Sequence, residues 1–510
     1  MPTPAQVGFA ILVLGVALII GKIIRMNVRW VQKLFLPSSI IAGFILLFLG
    51  PGVFGALAGG RWAAAGIYTP QILAAWRPLP GLLISVVFAT MFLGVNLPSP
   101  RKAAKLIGPQ FALGVAFGSG QYVVGLLLTI LVLVPLFAAT PMVGALIEIG
   151  FEGGHGTAAG MRQVFENLGF EAGGDLAVAM ATIGLLFGII LGIVLINWGV
   201  RTGKTELVTD QASFSMEEQR GLYAADEHYP AGTMTSRPAS VEPLSLHVAI
   251  VTMAILLGWL MLQLLQWIER MTWGQMVLQD GVHFELMRYL PLFPMALLGG
   301  VIVQKLARAF GVDNMIDHQM MLRIQGLALD FLIVSAIGSM SLGAIGENLP
   351  TFLILGIAGI LFCLAIFKFL APRIIGRYWF ERAIADFGQS MGVTATGLIL
   401  LRIVDPELRS PAFEAFGLKQ LVFEPFFGGG LITALSVPLI FFFGPWPFLI
   451  AMTVVFVGIV VWGLVKFGPT AKREHLERAE GLPSEWELTH AGHFADPTTT
   501  PVVELEPVSV

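Results

Sequence analysis

The stretch Glu148 to Gly160, EIGFEGGHGTAAG, places two glutamates, a histidine and repeated glycines between two long apolar runs. Gly153, Gly154 and Gly156 permit a tight non-helical turn and a close approach of the backbone. Such a turn exposes N–H groups at the start of a half-helix, which favour an anionic ligand. It also exposes carbonyl oxygens that, together with the Thr157 hydroxyl, are suited to coordinate Na⁺.

A similar stretch, MGVTATGL, runs from Met391 to Leu398 in the second half of the chain and supplies Gly392, Thr394 and Thr396. Two such tips, meeting near the middle of a membrane, would form one binding site that opens alternately to each side.

The charged residues beside the first tip are Glu148, Glu152 and His155. Ionisable groups are costly at membrane depth, so their burial without a role is disfavoured. For His155 the alternative is a structural side chain whose hydrogen bond pins the turn.

Two arginines follow the tips, Arg162 six residues after Gly156 and Arg402 ten residues after Gly392. A guanidinium group suits a carboxylate because it donates two parallel hydrogen bonds. Arg402 has an alternative role as a membrane-edge anchor beside Asp405. Arg162 is the stronger candidate because it lies outside the segments that the lysines and arginines mark as cytoplasmic.

Asp330 lies one turn into a predicted span and is either an ion-site carboxylate or a snorkelling residue at a helix end. The candidate substrate-binding residues are therefore Gly153, Gly154, His155, Gly156, Thr157, Arg162, Gly392, Thr394, Thr396 and Arg402. The candidate Na⁺ ligands are Thr157, Thr394 and Asp330.

The elements that position these residues are membrane helices. Hydrophobic residues make up 56% and charged residues 12% of the 510 residues, and soluble domains carry about twice that charged fraction. Runs of ~20 apolar residues predict spans near 5–24, 36–57, 80–97, 111–137, 175–199, 244–267, 289–304, 326–342, 350–370, 421–443 and 448–465. A polar loop occupies 200–243 and a polar tail 467–510. The single cysteine, Cys363, excludes an internal disulfide.

The basic residues predict the orientation of the chain. With the N-terminus outside, 25 of the 30 lysines and arginines fall in cytoplasmic segments, as the positive-inside rule requires. The sequence therefore predicts an external N-terminus, with the central loop and the C-terminal tail in the cytoplasm.

Residues 142–165 and 378–401 are too polar to span comfortably and are predicted to be re-entrant hairpins, the first from outside and the second from inside. Matching runs recur in the same order in residues 1–199 and 244–443, and the second half starts on the opposite side. The predicted fold is an all-α polytopic membrane protein with two inverted repeats of about five spans, each with a hairpin, plus an extra C-terminal helix at 444–466. This plan is typical of secondary transporters.

GGHGTAAG after an apolar span, the second Gly/Thr-rich hairpin and the two inverted halves resemble the bacterial sodium/glutamate symporter family, over roughly Ala5 to Phe443. The resemblance implies a homodimer in the bacterial inner membrane that couples Na⁺ to uptake of a dicarboxylic amino acid by moving a transport domain against a scaffold. It implies no cofactor other than Na⁺ as the coupling ion, no nucleic-acid partner and no enzymatic activity.

The second hairpin departs from the family's pattern, with Ala395 where the family usually has proline and Leu400 near its usual asparagine. These departures fall in the substrate region, so a 2-hydroxycarboxylate or another organic anion, with Na⁺ or H⁺, stays an alternative. A channel would need a continuous polar path, whereas the sequence has two isolated tips. A sensor would not explain the hairpins, and no GxSxG or HExxH motif indicates a hydrolase.

Overall fold

The computed structural model describes residues 3–95, 100–207, 216–223, 230–276, 283–406, 409–484, 486 and 488. In chain order the principal helices are α1 (Pro4–Asn27), α2 (Ser38–Ala58), α3 (Pro70–Thr90), α4 (Ile107–Phe137), α5 (Pro141–Phe151), α6 (Gly154–Gly160), α7 (Arg162–Asn167), α8 (Gly173–Arg201), α9 (Pro243–Met271), α10 (Leu292–Ala309), α11 (His318–Gly338), α12 (Leu349–Ile374), α13 (Trp379–Val404), α14 (Ala412–Phe423), α15 (Leu431–Phe443) and α16 (Pro445–Ala479). Among the described residues, eleven helices are long and apolar enough to cross a membrane, which confirms an all-α polytopic membrane protein.

Several of these helices begin at residues that satisfy the free N–H groups of a first turn. The Thr3 hydroxyl accepts from the N–H of Gln6, and the Asp317 carboxylate accepts from the N–H of Met320 at 2.7 Å. Pro4 and Pro243 occupy first helical positions, where their missing N–H groups carry no cost. The local sequence thus marks where α1, α9 and α11 begin.

The helices pack into two bundles. Helices α1, α2, α3, α9, α10 and α11 contact one another and form what we call the support bundle. Helices α4 to α8 and α12 to α16 form the other, the hairpin bundle. Each half of the chain supplies three helices to the support bundle. The main contacts between the bundles are those of α6 with α3 and α11, with a smaller contact of α8 with α11, so the first glycine-rich stretch lies at the boundary.

Both stretches predicted as hairpins are broken helices. Helix α13 is interrupted at Gly392 and Val393, and a Cβ added to Gly388 would stand 2.7 Å from the Gly397 Cα. The two arms therefore lie side by side, although α13 has the length of a single span. In the first stretch, α15 contacts both the start of α5 and α7, which places the two ends of residues 141–167 near the same helix.

The predicted span at 421–443 is not one helix. Helix α14 ends at Phe423, the turn that follows contains Gly428 at φ 66° and Gly429 at φ 108°, and α15 then begins at Leu431. A purely apolar window misses this interruption because Phe426 and Phe427 keep the turn hydrophobic. The predicted loop 200–243 and tail 467–510 lie partly outside the described residues.

Candidate functional site

The first break separates α5 from α6 at Gly153 and Gly154. Gly154 has φ 65°, a left-handed conformation that costs other residues about 1–2 kcal/mol. His155, next in the chain, is buried, and its Nε2 lies 3.0 Å from the Thr182 hydroxyl on α8. This hydrogen bond ties the turn to α8, as the structural alternative for His155 predicts.

The second break lies within α13 at Gly392 and Val393. Val393 has φ 64°, which is rare for a β-branched residue and persists only where surrounding structure enforces it. The Thr396 hydroxyl donates to the Gly392 carbonyl at 2.5 Å. Thr396 therefore satisfies a carbonyl freed by the break.

The two breaks meet. A Cβ added to Gly154 would overlap the Cγ1 of Val393, so the first turn is seated directly against the second. Backbone groups that leave their helical ladders on both segments converge at this junction. Gly154 and Gly392 are buried at this junction, Val393 and Thr394 are half-buried, and the junction lies next to the boundary with the support bundle.

An acidic cluster lies on the α5 side of the junction. Glu148 is well satisfied: it accepts from the Tyr122 hydroxyl at 2.5 Å, the Thr433 hydroxyl at 2.7 Å and the Gly428 N–H at 3.0 Å. Glu152, one turn later, is 2% exposed, and neither of its carboxylate oxygens has a hydrogen-bond partner in the described structure. The buried Lys419 acts on this carboxylate electrostatically but forms its described ion pair with Asp386, and a buried carboxylate without a direct partner is expensive.

A further buried oxygen without a hydrogen-bond partner lies on α6, at Thr157. The Thr157 hydroxyl is buried and makes no hydrogen bond to any described residue. A Cβ added to Gly429 would overlap this hydroxyl, and one added to Gly428 would lie 3.5 Å from the Glu152 carbonyl oxygen. The turn between α14 and α15 thus closes over Glu152 and Thr157. Carboxylate and hydroxyl oxygens are the ligand types that hard cations take.

A chain of hydrogen-bonded side chains runs from the second break into the bundle. The Thr394 hydroxyl donates to Glu424 and accepts from Gln420, both at 2.9 Å. Gln420 in turn accepts from Gln389 at 3.0 Å, and Gln389 accepts from Lys419 at 2.5 Å. These bonds fix the orientation of the Thr394 side chain, which bridges α13 and α14.

Lys419 ends this chain as a completely buried cation. Its Nζ donates to Asp386 at 2.9 Å and lies 4.5 Å from the centre of the Phe423 ring. The other Asp386 oxygen accepts from Gln110 of α4 at 2.7 Å. The positive-inside rule assigns Lys419 to a cytoplasmic segment, but a lysine buried inside the bundle carries no information about orientation.

The remaining predicted residues lie elsewhere. Arg162 pairs with Asp175 at 2.8 Å, and it is eight residues beyond Gly154, or ~12 Å at the helical rise. Arg402 is exposed near the end of α13. Asp330 is exposed on α11, two residues before Leu332, which faces Gly156. Two residues turn a helix by ~200°, so Asp330 points away from the junction.

Sequence reasoning missed the contributions of α14 and α15. Lys419, Glu424, Gly429 and Thr433 border the candidate site, yet they are distant in the chain from both breaks. The one available signal was the GGG run at 428–430 beside Glu424 in an otherwise apolar stretch.

Comparison with known proteins identifies a matching family and two relatives. A family model described as "Sodium/glutamate symporter" matches residues 6–405. The chain is 22% identical over 415 residues to a protein named "Sodium/glutamate symporter" from Escherichia coli (strain K12), an alignment that covers 79% of this chain and 90% of that protein. A protein of the same name from Shigella flexneri matches with the same identity and coverage.

Proposed function

The chain belongs to the sodium/glutamate symporter family, and from that premise we propose that it carries glutamate, or another small carboxylate, across the membrane together with Na⁺ by alternating access. Membership makes it a multi-pass membrane transporter rather than an enzyme. We further propose a homodimer in the bacterial inner membrane with the N-terminus outside, as the basic residues and the family resemblance predict.

The proposal of cation coupling rests on the buried Glu152 carboxylate, whose two oxygens have no hydrogen-bond partner in the described structure. Two carboxylates, Glu148 and Glu152, lie one helical turn apart in the same buried region, and only Glu148 has its oxygens satisfied by described donors. A buried charge is tolerated when it is paired or coordinates a metal ion. Na⁺ held by the Glu152 carboxylate and the Thr157 hydroxyl would pair both orphaned groups.

The substrate position that we propose is the junction of the two breaks. The breaks at Gly153 and Gly154 and at Gly392 interrupt the helical hydrogen-bond ladders there, and Thr394, beside the second break, is held by hydrogen bonds to Glu424 and Gln420. His155, Gly156 and Thr396 shape the turns around it. Broken helices that meet in this way place an anion at half-helix N-termini and cations at freed carbonyls.

The boundary between the bundles suits a relative movement. A Cβ added to Gly156 would stand 2.6 Å from the Ile84 Cδ1 on α3 and 3.7 Å from the Leu332 Cδ1 on α11. A Cβ added to Gly160 would lie 3.0 Å from the Ile84 Cγ2. Small residues on α6 thus face apolar side chains of the support bundle. We propose that the hairpin bundle shifts along this surface and carries the site between the two sides.

We expect purified protein in proteoliposomes to accumulate labelled glutamate only when an inward Na⁺ gradient is imposed. The panel is glutamate, aspartate, citrate and a neutral amino acid at fixed membrane potential, with Na⁺, with choline, and with a separate H⁺ gradient. Uptake of citrate rather than glutamate would select the 2-hydroxycarboxylate alternative. Equal uptake in Na⁺ and choline, or uptake of the neutral substrate alone, would contradict the proposal.

We expect Thr157→Val to raise the Na⁺ concentration at half-maximal uptake by roughly three- to tenfold, because it removes one oxygen ligand while nearly keeping the volume. Thr252→Val is the matched control, since the Thr252 hydroxyl on exposed α9 only donates to its own helix, to the Val248 carbonyl. Uptake is measured against Na⁺ at saturating substrate. Equal half-saturation in both variants would remove Thr157 from the ion site.

A further inference from the structure

A cavity of about 480 Å³ lies between the two bundles, away from the junction of the breaks. It is lined by Arg77, Pro78 and Gly81 in the first half of α3, by residues between 159 and 167 of the hairpin bundle and by residues 288–293 before and at the start of α10. Its volume is in the range of sites for small ligands. In the proposed orientation α3 and α10 begin on the outer side, so the cavity opens outward.

Three arginines line the cavity, Arg77 and Arg288 from the support bundle and Arg162 from the hairpin bundle. The acids that face them are Glu166 in the lining, Asp175 paired with Arg162 and Glu285 paired with Arg288 at 2.9 Å. Arg77 is exposed and forms no ion pair with any described residue.

Arg162 is the buried member of the set. It is 5% exposed, and its Nη2 donates to Asp175. Its Nη1 is also buried but has no hydrogen-bond partner among the described residues. A buried cationic donor left unpaired costs free energy that an anionic ligand recovers, and a guanidinium group matches a carboxylate in geometry.

We propose that this cavity is an outer carboxylate site, distinct from the junction, in which Arg162 Nη1 binds a carboxylate of the incoming substrate and Arg77 attracts it. This proposal rests on the proposed function. Arg162 belongs to one bundle and Arg77 to the other, so the complete site exists only while the bundles keep the relative position seen here. A shift of the hairpin bundle would separate the two arginines and release the substrate towards the junction.

The test compares two substitutions at the cavity. Arg162→Lys keeps a cation opposite Asp175 but removes the free Nη1, so the fold is preserved while the donor is lost. We expect it to raise the KM for glutamate roughly fivefold or more and to leave the Na⁺ half-saturation unchanged. Arg77→Gln should raise KM at low ionic strength and have little effect at high ionic strength, because an exposed charge acts through a screened field.

Arg270→Gln is the control, since Arg270 is exposed at the end of α9 and does not line the cavity. Unchanged KM in both Arg162→Lys and Arg77→Gln would overturn the outer site while leaving the transporter itself intact. A parallel change in Na⁺ half-saturation would also overturn it, by placing Arg162 in the ion site. Failure of the proposed function is distinguishable, because the unsubstituted protein would then show no Na⁺-dependent uptake.

Discussion

Gly154→Ala is expected to reduce Na⁺-dependent uptake roughly thirtyfold or more, without reducing the amount of protein in the membrane. The added Cβ faces two costs at once. A left-handed φ costs alanine about 1–2 kcal/mol, and overlap with a packed neighbour costs about 1–3 kcal/mol. The neighbour here is Val393 of the opposite break, so the strain falls on the junction that we propose binds substrate. Initial uptake per membrane-inserted protein is the measurement.

Gly169→Ala separates the two costs. Gly169 has φ 79°, but an added Cβ there would have no atom within 4 Å, so this variant carries the backbone penalty alone and should transport normally. The double variant Gly154→Ala with Val393→Ala removes the overlapping methyl and should recover part of the lost uptake. Normal transport by Gly154→Ala alone would mean that contact between the breaks is not needed for function.

Glu152→Gln is expected to raise the Na⁺ half-saturation about a hundredfold or to abolish coupling, because a charged ligand is worth roughly 2–3 kcal/mol more than its neutral isostere. The substitution keeps the shape of the side chain and removes its charge, which no hydrogen-bond donor of the described residues satisfies. In Na⁺-free buffer the Tm of the variant should therefore equal or exceed that of the unsubstituted protein, since a buried charge without a direct partner is destabilising. The rise in Tm that bound Na⁺ produces in the unsubstituted protein should disappear.

Glu171→Gln is the matched control, because Glu171 is an exposed carboxylate a short distance further along the chain. It should keep both the Na⁺ half-saturation and the Na⁺-induced rise in Tm. If Glu152→Gln keeps them as well, the cation is bound elsewhere. If Glu152→Gln instead removes a dependence of uptake on pH, Glu152 carries a proton and the coupling ion is H⁺.

The sequence by itself determined the features that depend on local chemistry. Apolar run length identifies membrane helices, because a bilayer cannot hydrogen-bond to an exposed backbone. The breaks at Gly154 and Gly392 were predicted for a similar reason, since glycine and polar residues at membrane depth disfavour a continuous helix. The repetition of these signals in both halves was also enough to indicate a transporter with paired tips.

Only the tertiary structure decided which side chains surround the tips. The charge pattern predicts Lys419 as a cytoplasmic residue, and the spacing predicts Arg162 as a substrate ligand near the first tip. Folding buries Lys419 against Asp386 and pairs Arg162 with Asp175 beside the cavity between the bundles. The turn at Gly428 and Gly429 is brought over Glu152 from more than 270 residues away. Such contacts are set by packing between distant helices, and the charge or spacing of neighbours in one chain does not encode them.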